Sequence, residues 1–262
     1  MKRLLTALAL IFALLSAGAE KLRIADATGS DGGAIPAALL KLFAEHPEFE
    51  ISCFKLDAES ALEKFHAGDL DVVLLNGGDL PPDCRKRAFR YATGAYIAVV
   101  CIKNPLRKIS AKDLRMIVDA PRAQWKLVGG SASTIHRYGV SSRDGKLAGA
   151  AMLKLDPRAR EMTALSSMDE AILLAESDPE ALIWGPFMPE LPMTVVALEV
   201  EGVSPTRANI RSGAYPFSVS RFAVSSAEPG RAAREFLTLL RSGEFARLLE
   251  DDGEIPELPE LR

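Results

Sequence analysis

The feature that most constrains this chain is an alternation of short apolar runs with amphipathic stretches over residues 22–75. Residues 22–27 (LRIADA) read as a strand that breaks into the small, polar loop Thr28-Gly29-Ser30-Asp31-Gly32-Gly33. Ile35, Leu39, Leu42 and Phe43 then recur at helical spacing, and His46-Pro47 stops that helix. Residues 50–54 form a second strand, and a short helix carrying Ala61, Leu62 and Phe65 ends at Gly68. Residues 70–75 (LDVVLL) are apolar nearly throughout, which suits a parallel strand buried on both faces. Strands alternating with helices dictate an α/β fold with a mostly parallel sheet. Such sheets bind ligands where loops leave the carboxyl ends of their strands. This places residues 28–31, residues 57–60 and Asn76-Gly77-Gly78 on one rim.

The pattern continues with a strand over residues 96–103 and a short helix over 111–118 that packs Leu114, Ile117 and Val118. Ser141-Ser142-Arg143-Asp144-Gly145 precedes a helix running to about residue 155. Residues 181–184 and 194–200 read as strands, and two helices, around 232–240 and 244–249, close the chain before a Pro- and acid-rich tail. His136-Arg137-Tyr138 reads as a solvated cationic and aromatic cluster.

The amino end differs from the rest. Lys2 and Arg3 precede an apolar run from Leu4 to Leu15, and Ala17-Gly18-Ala19 is a small-residue cleavage site. This is the pattern of a secretory signal over residues 1–19; the run falls short of the roughly 20 residues that span a bilayer. The expectation is a soluble, exported protein, periplasmic or secreted. At 48% hydrophobic and 26% charged, the composition excludes disorder. A net charge of −3 gives no basic excess to hold nucleic acid.

Three cysteines leave at least one thiol free. Cys53 and Cys101 sit in strand-like runs and read as small buried hydrophobes, while any pairing among Cys53, Cys84 and Cys101 is left open. There is no C-x-x-C, and His46, His66 and His136 are not spaced with a cysteine as metal ligands are, so neither metal nor cofactor is expected. No nucleophile elbow accompanies Ser131, and an enzyme is not expected.

Four strings carry a family resemblance. Asn104-Pro105 leads through residues 109–118 to Trp125-Lys126-Leu127-Val128-Gly129-Gly130. Glu201-Gly202-Val203-Ser204-Pro205-Thr206 continues through Asn209-Ile210 to Ser212-Gly213-Ala214-Tyr215-Pro216-Phe217. Phe65, Gly68 and Asp71 form a third, and Gly29-Ser30 a fourth. Together they resemble the phosphate-binding type of periplasmic solute-binding protein, the receptor of an ABC importer.

The resemblance implies a type II periplasmic binding protein fold: two α/β lobes, with the ligand held in the cleft between them. Residues 20–96 plus 195–262 would form lobe one, and residues 97–194 lobe two. It also implies a monomer, a small anion such as phosphate as ligand, and the importer's membrane subunits as partners. Trp125, Tyr215 and Asp71 are expected to serve packing and structure.

The sequence departs from the family in its ligand loops. Arg143 stands in the place of the family's arginine, but Leu147-Ala148-Gly149 replaces the Ser-Gly-Thr that follows it. Asp57-Ala58-Glu59-Ser60 replaces a Gly-Ser-Gly loop, and Leu75-Asn76-Gly77 replaces a serine followed by a charged residue. Asp31, Glu59 and Asp144 bring negative charge to loops that should hold an anion.

The candidate ligand-binding residues are therefore Thr28, Gly29, Ser30, Asp31, Asn76, Gly77, Ser141, Ser142 and Arg143. Each has a plainer reading beside it. Arg143 can grip an oxyanion by its fork or pair with Asp144; Thr28 or Ser30 can meet a ligand or cap a helix. Two functions follow: a receptor for a small oxyanion, or a member of the same fold that has lost its ligand and acts as an exported interaction module.

Overall fold

The computed structural model describes residues 19–29, 34–141, 147–153 and 162–257. Strand β1 (Glu20–Asp26) is followed by α1 (Ala34–Glu45), β2 (Phe49–Lys55), α2 (Ala58–His66) and β3 (Val72–Asn76). Next come β4 (Ala88–Cys101), β5 (Lys108–Ile109), α3 (Ala111–Asp119), β6 (His136–Val140), α4 (Ala150–Leu153), β7 (Thr163–Leu165), α5 (Met168–Ser177) and β8 (Ala181–Pro186). The chain closes with β9 (Val195–Ala197), β10 (Glu199–Val200), α6 (Arg207–Arg211), β11 (Ser218–Ser225), α7 (Arg231–Leu239), α8 (Gly243–Asp251) and β12 (Ile255–Pro256). It packs as two compact units. The first takes the chain through Ala92, Arg221–Asp252 and the residues from Pro256; the second takes Thr93–Ser220 and Gly253–Ile255.

In the first unit the strand order is β2-β1-β3-β11. β2, β1 and β3 are parallel, with Ile24 opposite both Cys53 and Val72, and β11 runs antiparallel to β3. Both faces of this sheet are covered. Leu22, Ile24, Val72 and Leu74 face a core shared with Ala38 and Leu42 of α1, Phe236 of α7 and Phe245 of α8. Ala25, Val73 and Leu75 face the opposite core with Ala61 and Phe65 of α2. The expected strand at 70–75 is therefore apolar without alternation because it is buried twice. Residues Val72 through Leu75 are each 0% exposed, and such side chains contribute about 1.5–3 kcal/mol apiece. On α1 the buried stripe is Ala34, Ala38 and Leu42, with Ile35 and Leu39 half-buried, whereas Phe43 points outward.

Asp71 fastens the edge of the third strand to the first. Its carboxylate accepts from the Arg23 backbone N–H at 2.8 Å and from the guanidinium at 3.0 and 3.1 Å. The resulting bonds raise the Arg23 pKa above its ordinary value. Its expected structural role is the one seen.

In the second unit β8, β6 and β7 are parallel, and the part of β4 after Tyr96 pairs antiparallel with β8 and β9. Trp125, Trp184, Tyr215 and Phe217 are buried there, with Trp184 edge-on to Phe217 at 5.0 Å. Residues 195–220, expected in the first lobe, pack with this second unit instead. Val195, Leu198, Val200, Ile210, Tyr215 and Phe217 are all built into its core. The single strand expected at 194–200 is divided: Leu198 donates to Ala98 O while Glu199 and Val200 turn to pair with β5.

Two expectations about side chains are corrected. Arg137 is not solvated but buried, its guanidinium donating to the carbonyls of Ile117 (3.0 Å), Val118 (3.2 Å), Ala120 and Pro121 (3.2 Å). It thereby satisfies the carbonyls that a helix end leaves unpaired at α3. Cys53 is exposed, because β2 lies at the edge of its sheet, whereas Cys84 and Cys101 are buried. All three cysteines are free thiols.

The string from Glu201 to Phe217 proves to be architecture. Val200 and Val203 exchange backbone hydrogen bonds of 3.0 and 2.9 Å around Glu201 (φ +52°) and Gly202 (φ +77°). Two consecutive left-handed residues make the tight turn that favours glycine. Thr206 caps α6 by accepting from Asn209 N–H, and Asn209 Nδ2 donates back to Ser204 O at 2.9 Å.

Candidate functional site

The carboxyl ends of β1 and β3 bring Thr28 and Asn76 together, as their places on the rim required. Asn76 Nδ2 donates to Thr28 O at 3.1 Å. The residue that joins them was not read from the sequence: Arg221, on β11. Its guanidinium donates to Thr28 O at 3.1 Å and also to Asn76 Oδ1. Antiparallel pairing sets Arg221 opposite Asn76, so register alone places the cation at this loop. The signal was present as an arginine inside an otherwise uncharged strand pattern, FSVSRFAVS, where a buried charge must find a partner.

Asp26, the last residue of β1, closes the group. Its carboxylate accepts from Thr28 N–H at 3.1 Å and from the Thr28 hydroxyl at 2.7 Å. Lys55 Nζ, from the end of β2, lies 3.9 Å from the same carboxylate. Asp26, Thr28 and Arg221 are 6%, 5% and 4% exposed, so this is a buried polar network rather than a solvated rim. Buried polar groups of this kind hold shape because breaking one bond leaves its partner desolvated. Gly29, at φ +63° and exposed, takes the chain out of the network. Gly77 opens a turn of 3-10 helix over Gly77–Asp79 on the exposed side of Asn76.

Chemically, a guanidinium, a primary amide and a hydroxyl are the donors that hold oxyanions. In this arrangement all three donate to protein acceptors. An anion at this rim must draw on backbone N–H groups or exchange places with one of those acceptors.

The neighbouring loop has been altered in the same sense. Asp57 caps α2: its carboxylate accepts from Ser60 N–H and from the Ser60 hydroxyl, both at 2.8 Å. Those bonds hold the Asp57 carboxyl below its ordinary range. A helix amino terminus is where an anion would be received, and here the chain supplies its own carboxylate. Ser60 is thus a helix-start residue bonded to its own cap.

In the second unit Ser141 directly follows β6. Its N–H donates to Leu165 O at 2.9 Å, and it bridges to Leu147. Ser30, Asp31, Ser142 and Arg143 lie outside the described residues, as does Asp144. The replacement of Ser-Gly-Thr can be followed, however. Leu147 packs on the unit's hydrophobic core, Ala148 O accepts from Trp184 Nε1 at 2.8 Å, and Gly149 (φ +69°) lies against the Tyr96 ring. Residues 147–149 thus offer apolar packing and backbone groups, with no side-chain hydroxyl. A separate open cavity of about 320 Å³ in this unit is lined largely by apolar residues such as Ile97, Phe187, Leu191 and Ala197, with Thr206 and Arg207 also in its wall. Its apolar wall does not suit a small oxyanion.

The element order and the sheet pairings define an α/β fold of the type II periplasmic binding protein class. The chain aligns with an ABC-type phosphate transport receptor from Vibrio cholerae at a TM-score of 0.75 and 17% identity, covering 90% of this chain and 99% of that one. It aligns with a possible phosphate binding protein from Planctomyces limnophilus DSM 3776 at 0.79 and 18%, covering 92% and 94%.

In sequence it is 27% identical over 168 residues to the phosphate-binding protein PstS of Bacillus subtilis (strain 168). That match covers 62% of this chain and 56% of the relative, little more than half of its length. No family model matches. The chain therefore has a PstS-like fold.

Proposed function

We propose that the chain is an exported solute-binding receptor that takes a small oxyanion, phosphate or a chemical relative of it, and delivers it to the membrane subunits of an ABC importer. The observation that carries this reading is the likeness in fold to the Vibrio receptor over 90% of the chain. A fold alone does not assign a ligand, so the site must be argued separately. Thr28, Gly29, Ser30, Asp31, Asn76 and Gly77 are the first unit's share of the proposed site, and Ser141, Ser142 and Arg143 the second unit's. Arg143 supplies the guanidinium, since Arg221 is engaged with Thr28 and Asn76. Export rests on the signal pattern of residues 1–19, with cleavage after Ala19. Among the described residues no helix is long and apolar enough to cross a membrane.

A second reading is favoured by the two altered loops. Asp57 fills its own helix start, and Leu147-Ala148-Gly149 packs where hydroxyl donors belong. On that reading the chain keeps the scaffold, binds no small molecule and acts as an extracytoplasmic interaction module.

A thermal-shift panel of phosphate, sulfate and phosphonates on ligand-stripped protein separates the two. A ligand present at 100 times its dissociation constant adds about 2.7 kcal/mol of stability. The receptor reading expects such a shift with one of these anions, and its loss in Arg143→Ala. No shift across the panel refutes the receptor and leaves the interaction module. A shift undiminished in Arg143→Ala refutes the site assignment.

A further inference from the structure

The first unit gathers a cluster that its sequence spacing conceals. His66 closes the last turn of α2, while Asp83 and Cys84 lie on the turn that leads into β4. His66 Nε2 is 3.2 Å from Asp83 Oδ2 and 3.8 Å from Cys84 Sγ, and Sγ is 3.8 Å from Asp83 Oδ2. One nitrogen, one oxygen and one sulfur thus form a closed triangle. We infer that His66, Asp83 and Cys84 form a binding site for a zinc-class divalent cation, with water as the fourth ligand.

The triangle has the size of a coordination face. Tetrahedral bonds of about 2.0–2.3 Å to nitrogen, oxygen and sulfur set neighbouring ligand atoms roughly 3.3–3.7 Å apart. The observed edges bracket that range, so a cation can be seated with side-chain shifts of a few tenths of an ångström.

The backbone already fixes the three positions. Cys84 N–H donates to Pro81 O at 3.1 Å and Arg87 N–H to Cys84 O at 2.9 Å, while Gly68 N–H closes α2 onto Phe65 O at 3.1 Å. His66 and Asp83 are 48% and 61% exposed and Cys84 is buried, so the face opens to solvent over a fixed sulfur. That gives a cation both an entry path and room for its water. One thiolate, one imidazole and one carboxylate suit zinc or cobalt(II) and are a poor set for calcium or magnesium.

Two rival roles fit less well. A nucleophilic cysteine needs a histidine that bonds sulfur through one nitrogen and a carboxylate through the other. Here Asp83 and Cys84 approach the same nitrogen. Burial and the Asp83 charge also raise the Cys84 thiol's pKa. A bare ion pair between His66 and Asp83 accounts for two members but not for the sulfur closing the triangle. Arg87, with a guanidinium nitrogen 3.8 Å from Sγ, opposes the cation's charge but stabilises the thiolate that binds it. Cation binding must release the Cys84 proton, so affinity rises with pH.

The test uses the full chain, stripped by chelator under reducing conditions, and is independent of any anion site. Zinc titrated against a competing chelator should bind with one saturable equivalent. Cobalt(II) should show a thiolate-to-metal charge-transfer band that Cys84→Ala abolishes. Losing a group that only supports a metal ligand costs about 10–100-fold in affinity, so His66→Ala or Cys84→Ala should cost at least that. His66→Ala alters an exposed side chain, and circular dichroism will show that it remains folded. Absence of saturable zinc binding overturns the site. So does binding that survives both substitutions, or a cobalt spectrum without the thiolate band.

Discussion

Arg221→Met offers the sharpest probe of the rim. The substitution keeps an unbranched stem of similar volume but removes the charge and the fork. Arg221 is 4% exposed and donates to Thr28 O and Asn76 Oδ1; Thr28 is buried, whereas Asn76 is half-buried and recovers part of its loss from water. Hydrogen bonds from a charged group contribute about 1.5–3 kcal/mol each. Thr28 O keeps its bond from Asn76 Nδ2 at 3.1 Å, so its share of the loss is the smaller. The expected cost is about 3–4 kcal/mol, in line with breaking one member of a buried charged network.

Urea denaturation followed by circular dichroism measures it. At a slope of about 1–3 kcal/mol per molar urea, the midpoint should fall by roughly 1–3 M. Both tryptophans, Trp125 and Trp184, lie in the second unit, so a dichroism change that precedes the fluorescence change assigns the loss to the first. Arg221→Lys keeps the charge without the fork and should fall between. If Arg221→Met stays within about 1 kcal/mol of the wild type, the range of an ordinary surface change, the network does not hold the rim.

Two further outcomes are expected. Asp57 has a carboxyl held below its usual value by Ser60, so its contribution to α2 is present above about pH 4 and is lost as pH falls below that. Asp57→Asn keeps a capping oxygen and should flatten the acid limb of the stability profile; an unchanged limb contradicts the assignment. Gly149→Ala would place a Cβ 2.5 Å from the Tyr96 ring at φ +69°, and should lower stability by about 2 kcal/mol in a thermal melt. An unaltered melting temperature would mean that this segment is not packed as described.

The fold was legible because its signals are local. The apolar run at 70–75 and the helix stops at His46-Pro47 and Gly68 act over a few residues. The family-like string from Glu201 to Phe217 was equally readable, but it encodes a left-handed turn, a cap at Thr206 and the buried Tyr215. It marks scaffold and carries no information about the ligand. The site was legible in half. Strand ends brought Thr28 and Asn76 to one rim, whereas Arg221 reaches them from 193 and 145 residues away in sequence. Arg137 was misread for the same reason: the carbonyls that hold it belong to a helix end 16 to 20 residues earlier.

By itself, then, the sequence determined the alternation of strand and helix, the double burial of β3 and the meeting of Thr28 and Asn76 at the strand ends. Periodicity and capping are properties of neighbouring residues. Tertiary structure alone decided which charges stand at that rim, that Asp57 fills its own helix start, and that His66 meets Asp83 and Cys84. Those outcomes depend on sheet register and on the return of distant strands, and a buried charge is placed by whichever partner the fold brings within hydrogen-bond reach.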